Sequence, residues 1–228
     1  TSGQDEKIKK IAVEGTNNIL DTISKKCKII FPSTHVIFEG LKETKQNIDE
    51  NEKPCPILTY SSSKAQNEKD IKNSGKKYVI LRLGSVYGYS STDTMRINIM
   101  PNLFSKIASQ NGVINWFGGG KQIKSVVPLI DVVRCMKFME ENEKAEKETF
   151  NLVKETVTVK DVAEICKKHK TPHNRNNCNN RETRQTVKTV NAVKTVSAVE
   201  MFYNFTFSLF PCFYISLYIN NLSKPQLF

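Results

Sequence analysis

The chain has 228 residues, 39% of them hydrophobic and 25% charged, which excludes a disordered tract or a bundle of membrane spans and fits one globular domain with an appendage. Thirty-four basic residues against 23 acidic ones give a formal charge of +11, a field that suits anionic partners, nucleotides and nucleic acid alike, without choosing between them. The excess is spread out, 28 basic against 21 acidic up to Lys170 and six against two beyond it, so no single basic block stands out.

Six widely separated cysteines (Cys27, Cys55, Cys135, Cys166, Cys178 and Cys212) follow a polar, charged N-terminus without a secretory signal. A reducing cytoplasm is the expected compartment. The first residue is Thr1, and the expectation is a piece of a longer chain.

In chain order, residues 5–26 read as a helix, with Ile8, Ile11, Val13, Ile19, Leu20 and Ile23 roughly on one stripe. "CKIIFPST" (27–34) is a short apolar run of the kind that forms a buried strand. A polar segment ending in prolines reads as a loop, residues 61–74 as a helix stopped at Gly75, and "KKYVILRLGSVYG" (76–88) as the strongest strand in the chain. Strand, helix, strand at this spacing is the βαβ unit of a parallel sheet.

Residues 98–111 form the next expected helix, with Pro101 near its start. "GVINWFGGGKQIKSVV" reads as a short strand, a Gly-rich β-turn and a second strand. The turn is no phosphate loop, because Asn115 and Gln122 break the Walker A pattern. An amphipathic helix follows from Leu129, then one strand over "ETFNLVKETV", Thr158 as a cap, and a helix from Lys160. A boundary is placed near residue 171. Residues 171–228 are Asn-rich, then repeat "VKTVNA-VKTVSA", then run from 201 to 223 without a charge. The last stretch is long enough to span a bilayer but is rich in aromatics and polar residues. Sequence not selected as protein is the favoured reading, with a C-terminal anchor second and a packed hydrophobic hairpin third. Cys166, His169, His173 and Cys178 have zinc-ligand chemistry but read as a chance cluster, so no metal site is expected.

Tyr60 and Lys64 in "YSSSK" lie four apart and share a helix face. A phenol titrates near pH 10, and a neighbouring ammonium favours its ionised form, so the pair is an acid/base device in principle. Alone, the same spacing describes any solvated helix. The flanking motifs decide between the two. "AVEGTNNILD" (12–21) resembles a "NVxGTxNLL" helix, "FPSTHVIFEG" (31–40) a strand carrying a Ser or Thr ahead of "VYG", and "LRLGSVYG" (81–88) an "LRxxNVYG" strand. "NIMP" (98–101) and "FGGGKQIKSVVPLIDVV" (117–133) continue the series in order. Over residues 5–169 the chain resembles the extended short-chain dehydrogenase/reductase superfamily, and within it the NAD-dependent epimerase/dehydratase family acting on nucleotide sugars.

The resemblance implies a Rossmann-like parallel sheet with helices on both faces and the start of a small substrate domain, spanning 1–170. It implies Tyr60 as the proton-transfer residue and Lys64 as the group that lowers its pKa and holds the nicotinamide ribose. Ser33 would hydrogen-bond the reacting sugar oxygen, with Thr34 as the neighbouring candidate. Leu83, Gly84, Ser85 and Val86 would lie beside the nicotinamide, while Ser85, Asn98 and Lys124 would meet the substrate. NAD is the implied cofactor, with NADP open, a nucleotide sugar the implied substrate, and a homodimer through the Tyr60–Lys64 helix the implied assembly. The family's opening strand and G-x-x-G-x-x-G turn have no counterpart in these residues, so the expectation is a partial domain, weak in cofactor binding, with NAD-dependent epimerase or dehydratase activity as the leading reading and activity of this piece alone left open. Ala12, Ser85 and Lys124 replace the family's Asn, Asn and Arg. A pseudoenzyme or a sugar-nucleotide or partner-binding module is the alternative. Sequence-specific nucleic-acid binding is not expected, since no aromatics interleave the basic residues.

Overall fold

The computed structural model describes residues 2–43, 45, 47–89 and 95–168. The chain divides into two compact units, one of Thr1–Leu83 with Asp131–Leu152, the other of Gly84–Ile130 with the segment from Val153.

In the first unit, α1 (Ser2–Lys9), a π-helical segment (Lys10–Glu14) and α2 (Gly15–Thr22) follow without a break. The π segment inserts extra backbone into the helix and rotates the stripe. Ile8 before it and Ile11 within it are more than a third exposed, whereas Thr16 and Leu20 after it are buried. The Thr16 hydroxyl donates to the Ala12 carbonyl at 2.7 Å. The helix ends at Thr22, four residues short of the expected boundary, because Ile23 turns to an extended conformation.

Strand β1 (Lys28–Thr34), helix α3 (Thr59–Asn73) and strand β2 (Lys77–Leu83) form the expected βαβ unit, and β1 pairs β2 in parallel from Lys28↔Lys77 to Thr34↔Leu83. Gly75, at φ +70°, ends α3 in the left-handed conformation that glycine adopts without strain. β5 (Glu148–Leu152) adds to the other side of β2, giving a parallel sheet of order β1-β2-β5. One face carries Ile29, Phe31, Tyr78 and Ile80, packed with Leu20 of α2 and Ile71 of α3. Val79 and Leu81 point the other way and are fully buried. Helix α5 (Leu129–Glu141) contributes buried Val132, Cys135 and Met139, and the Lys28 ammonium donates to the carbonyls of Met139, Glu140 and Asn142 at 3.1–3.3 Å. A cation there complements the negative end of the helix.

The second unit holds β3 (Ser85–Tyr87), α4 (Met100–Ser109), β4 (Ile123–Pro128), β6 (Glu155–Thr158) and α6 (Val159–Lys168). β3 pairs β4 in parallel and β4 pairs β6 antiparallel. Phe104, Val162 and Ala163 form its core, with Met100, Ile114, Val157, Val159 and Cys166 around them. Thr158 and Asp161 cap α6 reciprocally, the Asp161 N–H donating to the Thr158 hydroxyl oxygen at 3.1 Å and the Thr158 N–H to the Asp161 carboxylate at 3.0 Å.

Three expected elements change. The strand over 76–88 is two strands, β2 and β3, in different sheets, broken at Gly84, where a side chain would meet the Ser125 carbonyl oxygen at 3.0 Å. The strand after Glu148 is likewise two, β5 and β6. No strand precedes the Gly-rich turn among the described residues: Val113 stands 78% exposed, and Ile114 packs on the core of the second unit. The turn itself is a short 3₁₀ segment, Gly118–Gly120, with all three residues at positive φ. The expected boundary at 171, the tail beyond it, and His169, His173 and Cys178 lie outside the described residues. Cys166 Sγ lies 3.6 Å from the Ser105 hydroxyl. Among the described residues, no helix is long and apolar enough to cross a membrane.

Candidate functional site

Strand alternation places Phe31 and Ser33 on the face of the sheet that α3 covers. Ser33 is paired with Arg82 of β2, and Arg82 with Asn151 of β5, so one polar row crosses the three strands near their C-terminal ends. α3 lowers Lys64 and Glu68, one turn apart, onto this row. The Lys64 ammonium donates to the Pro32 carbonyl at 2.9 Å and lies 4.7 Å from the Phe31 ring centroid. The Ser33 hydroxyl donates to Glu68 Oε1 at 2.5 Å. Arg82 grips the same carboxylate through Nε at 3.1 Å and Nη2 at 2.8 Å. Its Nη1 donates to the Glu50 carbonyl at 3.0 Å, and its guanidinium stacks 5.2 Å from the Phe38 ring. Asn151 anchors that loop in turn, through its N–H to the Glu50 carboxylate and its amide to the Ile48 carbonyl.

Ser33, Lys64, Glu68 and Arg82 are all buried. Two cations therefore share one carboxylate, and the carboxylate is taken by Arg82 and Ser33. Lys64 keeps a peptide carbonyl and a ring face. Burial pushes its ammonium down to about 8, against the opposing pull of the Glu68 charge. An amine so placed gains from any anion that forms beside it.

Tyr60 lies one turn before Lys64 on the same helix, 44% exposed. Thr34 is buried, and its hydroxyl oxygen accepts the Val36 N–H at 3.2 Å, capping a 3₁₀ turn over His35–Phe38. His35 Nδ1 donates to the Leu83 carbonyl at 2.9 Å, which is a structural role. The first unit thus sets Ser33 and Lys64 at the β1–α3 contact, with Tyr60 one turn before Lys64, while Thr34 and Leu83 pair at the strand ends on the other face. The remaining candidates belong to the second unit. Ser85 and Val86 lie on β3 opposite Val126 and Val127, with Gly84 just before them. Asn98 accepts from Arg96 Nε at 3.1 Å, and Lys124 lies exposed on β4.

Sequence reasoning missed Glu68 and Arg82 as parts of the site. Glu68 continues the i, i+4 series from Tyr60 through Lys64, and Arg82 stands in the quoted "LRLGSVYG". The spacing was readable; the burial of a carboxylate over that arginine was not.

The fold and this cluster define a βαβ-based, Rossmann-like α/β protein with a Tyr–Lys helix laid over a Ser–Thr strand end. A model of the NAD dependent epimerase/dehydratase family matches residues 1–152, and the chain belongs to that family. Among solved structures, it is similar to the UDP-glucose 4-epimerase of Thermotoga maritima, at 24% identity and a TM-score of 0.61 over 70% of this chain and 53% of that one. It is also similar to the UDP-glucuronic acid 4-epimerase of Bacillus cereus, solved with UDP-glucuronic acid and NAD, at 23% identity and a TM-score of 0.60 over 69% and 50%. The Thermus thermophilus UDP-glucose 4-epimerase, solved with NAD, gives 20%, 0.58, 71% and 58%. The chain spans about half the length of these structures. No match was found among curated protein sequences.

Proposed function

We propose that this chain carries the proton-transfer half of a nucleotide-sugar epimerase or dehydratase. The observation that carries the reading is the buried Lys64, fixed between the Pro32 carbonyl and the Phe31 ring one turn below the half-exposed Tyr60. Bound NAD, when present, supplies the hydride acceptor. The fit rests on Lys64: an ammonium has three donors, the Pro32 carbonyl uses one, and the nicotinamide ribose hydroxyls suit the others.

Tyr60 takes the proton of the sugar hydroxyl being oxidised. Lys64 favours the phenolate by charge, and its low-dielectric surroundings strengthen that effect. Ser33 gives its own proton to Glu68, so toward a substrate it presents oxygen lone pairs and orients an incoming hydroxyl as an acceptor. Thr34, turned to the opposite face of β1, spends a lone pair on Val36 and keeps a proton to donate. Asn98 and Lys124 are proposed contacts for the sugar and diphosphate, and Leu83 to Val86 for the nicotinamide.

The test is incubation of the chain with NAD and a panel of UDP- and dTDP-hexoses, with products resolved by NMR. An epimer or a dehydrated sugar that vanishes in Tyr60→Phe supports the reading. Cofactor binding without turnover favours the second reading, a sugar-nucleotide-binding module, which the half-length span supports.

A further inference from the structure

Helix α3 begins without a cap of its own: Leu58, at its N-cap position, has no side-chain acceptor. In a capping box, the glutamate at the third helical position reaches back to the N-cap N–H. Here that position is Ser61, which cannot do so. Glu39, nineteen residues before Leu58 in sequence, takes over. Its Oε1 accepts the N–H of Leu58 at 2.7 Å, the N–H of Ile57 at 3.0 Å, and the hydroxyl of Ser61.

Glu39 follows directly on the 3₁₀ turn that Thr34 caps. A two-bond clasp sets its position: Cys55 N–H donates to the Ile37 carbonyl and Gly40 N–H to the Cys55 carbonyl, both at 2.8 Å. A side chain at position 40 would collide with that Cys55 carbonyl oxygen, so only glycine lets the two segments of the clasp meet. The chain from Pro32 to Gly40 therefore holds α3 at three levels: Glu39 at its first turn, the Pro32 carbonyl at Lys64, and Ser33 at Glu68.

We infer that Glu39 is a positioning residue for Tyr60, fixing the first turn of α3 on the strand end that carries Ser33 and Thr34. The inference rests on the proposed role of Tyr60 only for its functional meaning. The geometry itself stands without cofactor or substrate, and so does its test.

The full chain is labelled with 3-fluorotyrosine, and the Tyr60 resonance is assigned by its loss in Tyr60→Phe. Fluorine NMR and amide hydrogen exchange are then recorded for wild type, Glu39→Ala and Glu39→Gln. In Glu39→Ala, the Ile57 and Leu58 amides exchange about 5- to 30-fold faster, the factor expected for a lost helix cap. The Tyr60 resonance shifts and broadens, while buried Tyr78 and the β2 amides stay as they are. Glu39→Gln, which keeps an acceptor oxygen, returns Tyr60 close to its wild-type position. An unmoved Tyr60 resonance in Glu39→Ala overturns the inference. So does a change that reaches Tyr78 and β2 equally, since that is general loosening, and so does failure of Glu39→Gln to restore the signal. If these spectra behave as expected while NAD fails to bind, the proposed function falls and the positioning role stands.

Discussion

Replacing Glu68 with alanine is the sharpest test of how the site is held. The change removes the only carboxylate that meets Arg82 among the described residues, and the Arg82 side chain is 3% exposed. The guanidinium keeps the Glu50 carbonyl and the Phe38 ring, and the Ser33 hydroxyl loses its acceptor. Breaking a buried ion pair by removing one partner costs about 3–5 kcal/mol, because the other charge stays in the low-dielectric interior. That is a large share of the roughly 5–15 kcal/mol that holds a domain folded, and it corresponds to a fall of about 6–20 °C in Tm for a chain of this size. The assay is urea unfolding followed by circular dichroism, on Glu68→Ala, Arg82→Ala and the paired Glu68→Leu/Arg82→Met variant. Each single change should cost several kcal/mol, and the pair less than the sum of the two, since it removes both charges. A loss below about 1 kcal/mol for Glu68→Ala, the range of a solvent-exposed pair, would refute the reasoning.

Lys64 gives a pH test. Its folded-state value of about 8 lies below the unfolded one, so above pH 8 the unfolded chain binds more protons and wild-type stability rises toward pH 10.5. Lys64→Met should remove about 2–4 kcal/mol of that rise, read as unfolding free energy against pH. For Glu39, burial pushes the carboxyl up, but the Ser61 hydroxyl and the Leu58 and Ile57 N–H groups outweigh it and hold the group below its ordinary 4.5. Its capping is therefore complete above that pH and lost as the pH falls through the lower folded value; protection of the Leu58 amide should fall there in wild type and not in Glu39→Gln. Gly40→Ala should cost about 1–3 kcal/mol by forcing the clasp apart, measured by thermal unfolding. Asn67 is fully buried, and neither amide atom has a partner among the described residues. Asn67→Leu should therefore raise stability by about 1–3 kcal/mol in urea titration, and a loss instead would show that the amide is satisfied.

The βαβ unit was legible because its signals are local. An apolar run ended in Ser33-Thr34, a polar helix stopped at Gly75, and the "KYVILRL" run was too hydrophobic for anything but a buried strand. The Tyr60–Lys64 pair was legible from its i, i+4 spacing and from the order of the flanking motifs. The split at Gly84 was not, since a hydrophobic run looks the same whether it keeps one sheet or passes into another; only the close approach to Ser125 requires the glycine. The π segment was hidden for a related reason, because one turn of altered helix only blurs a 3.6-residue stripe. Neither Glu39, where a polar segment begins, nor Glu68, on a polar helix, stands out in the sequence. Their roles depend on partners 14 to 35 residues away, such as Leu58 for Glu39 and Arg82 and Ser33 for Glu68, and no local pattern announces those contacts.

The central claim is that Lys64 and Tyr60 form a cofactor-facing pair, and the most direct measurement is titration of NADH into the full chain, followed by nicotinamide fluorescence and calorimetry, with Lys64→Ala and Tyr60→Phe alongside. The account predicts saturable binding tighter than about 1 mM, or about −4 kcal/mol, weakened at least about tenfold by Lys64→Ala, a loss of about 1.4 kcal/mol. No saturable binding at millimolar NADH, or binding that Lys64→Ala leaves unchanged, would contradict it.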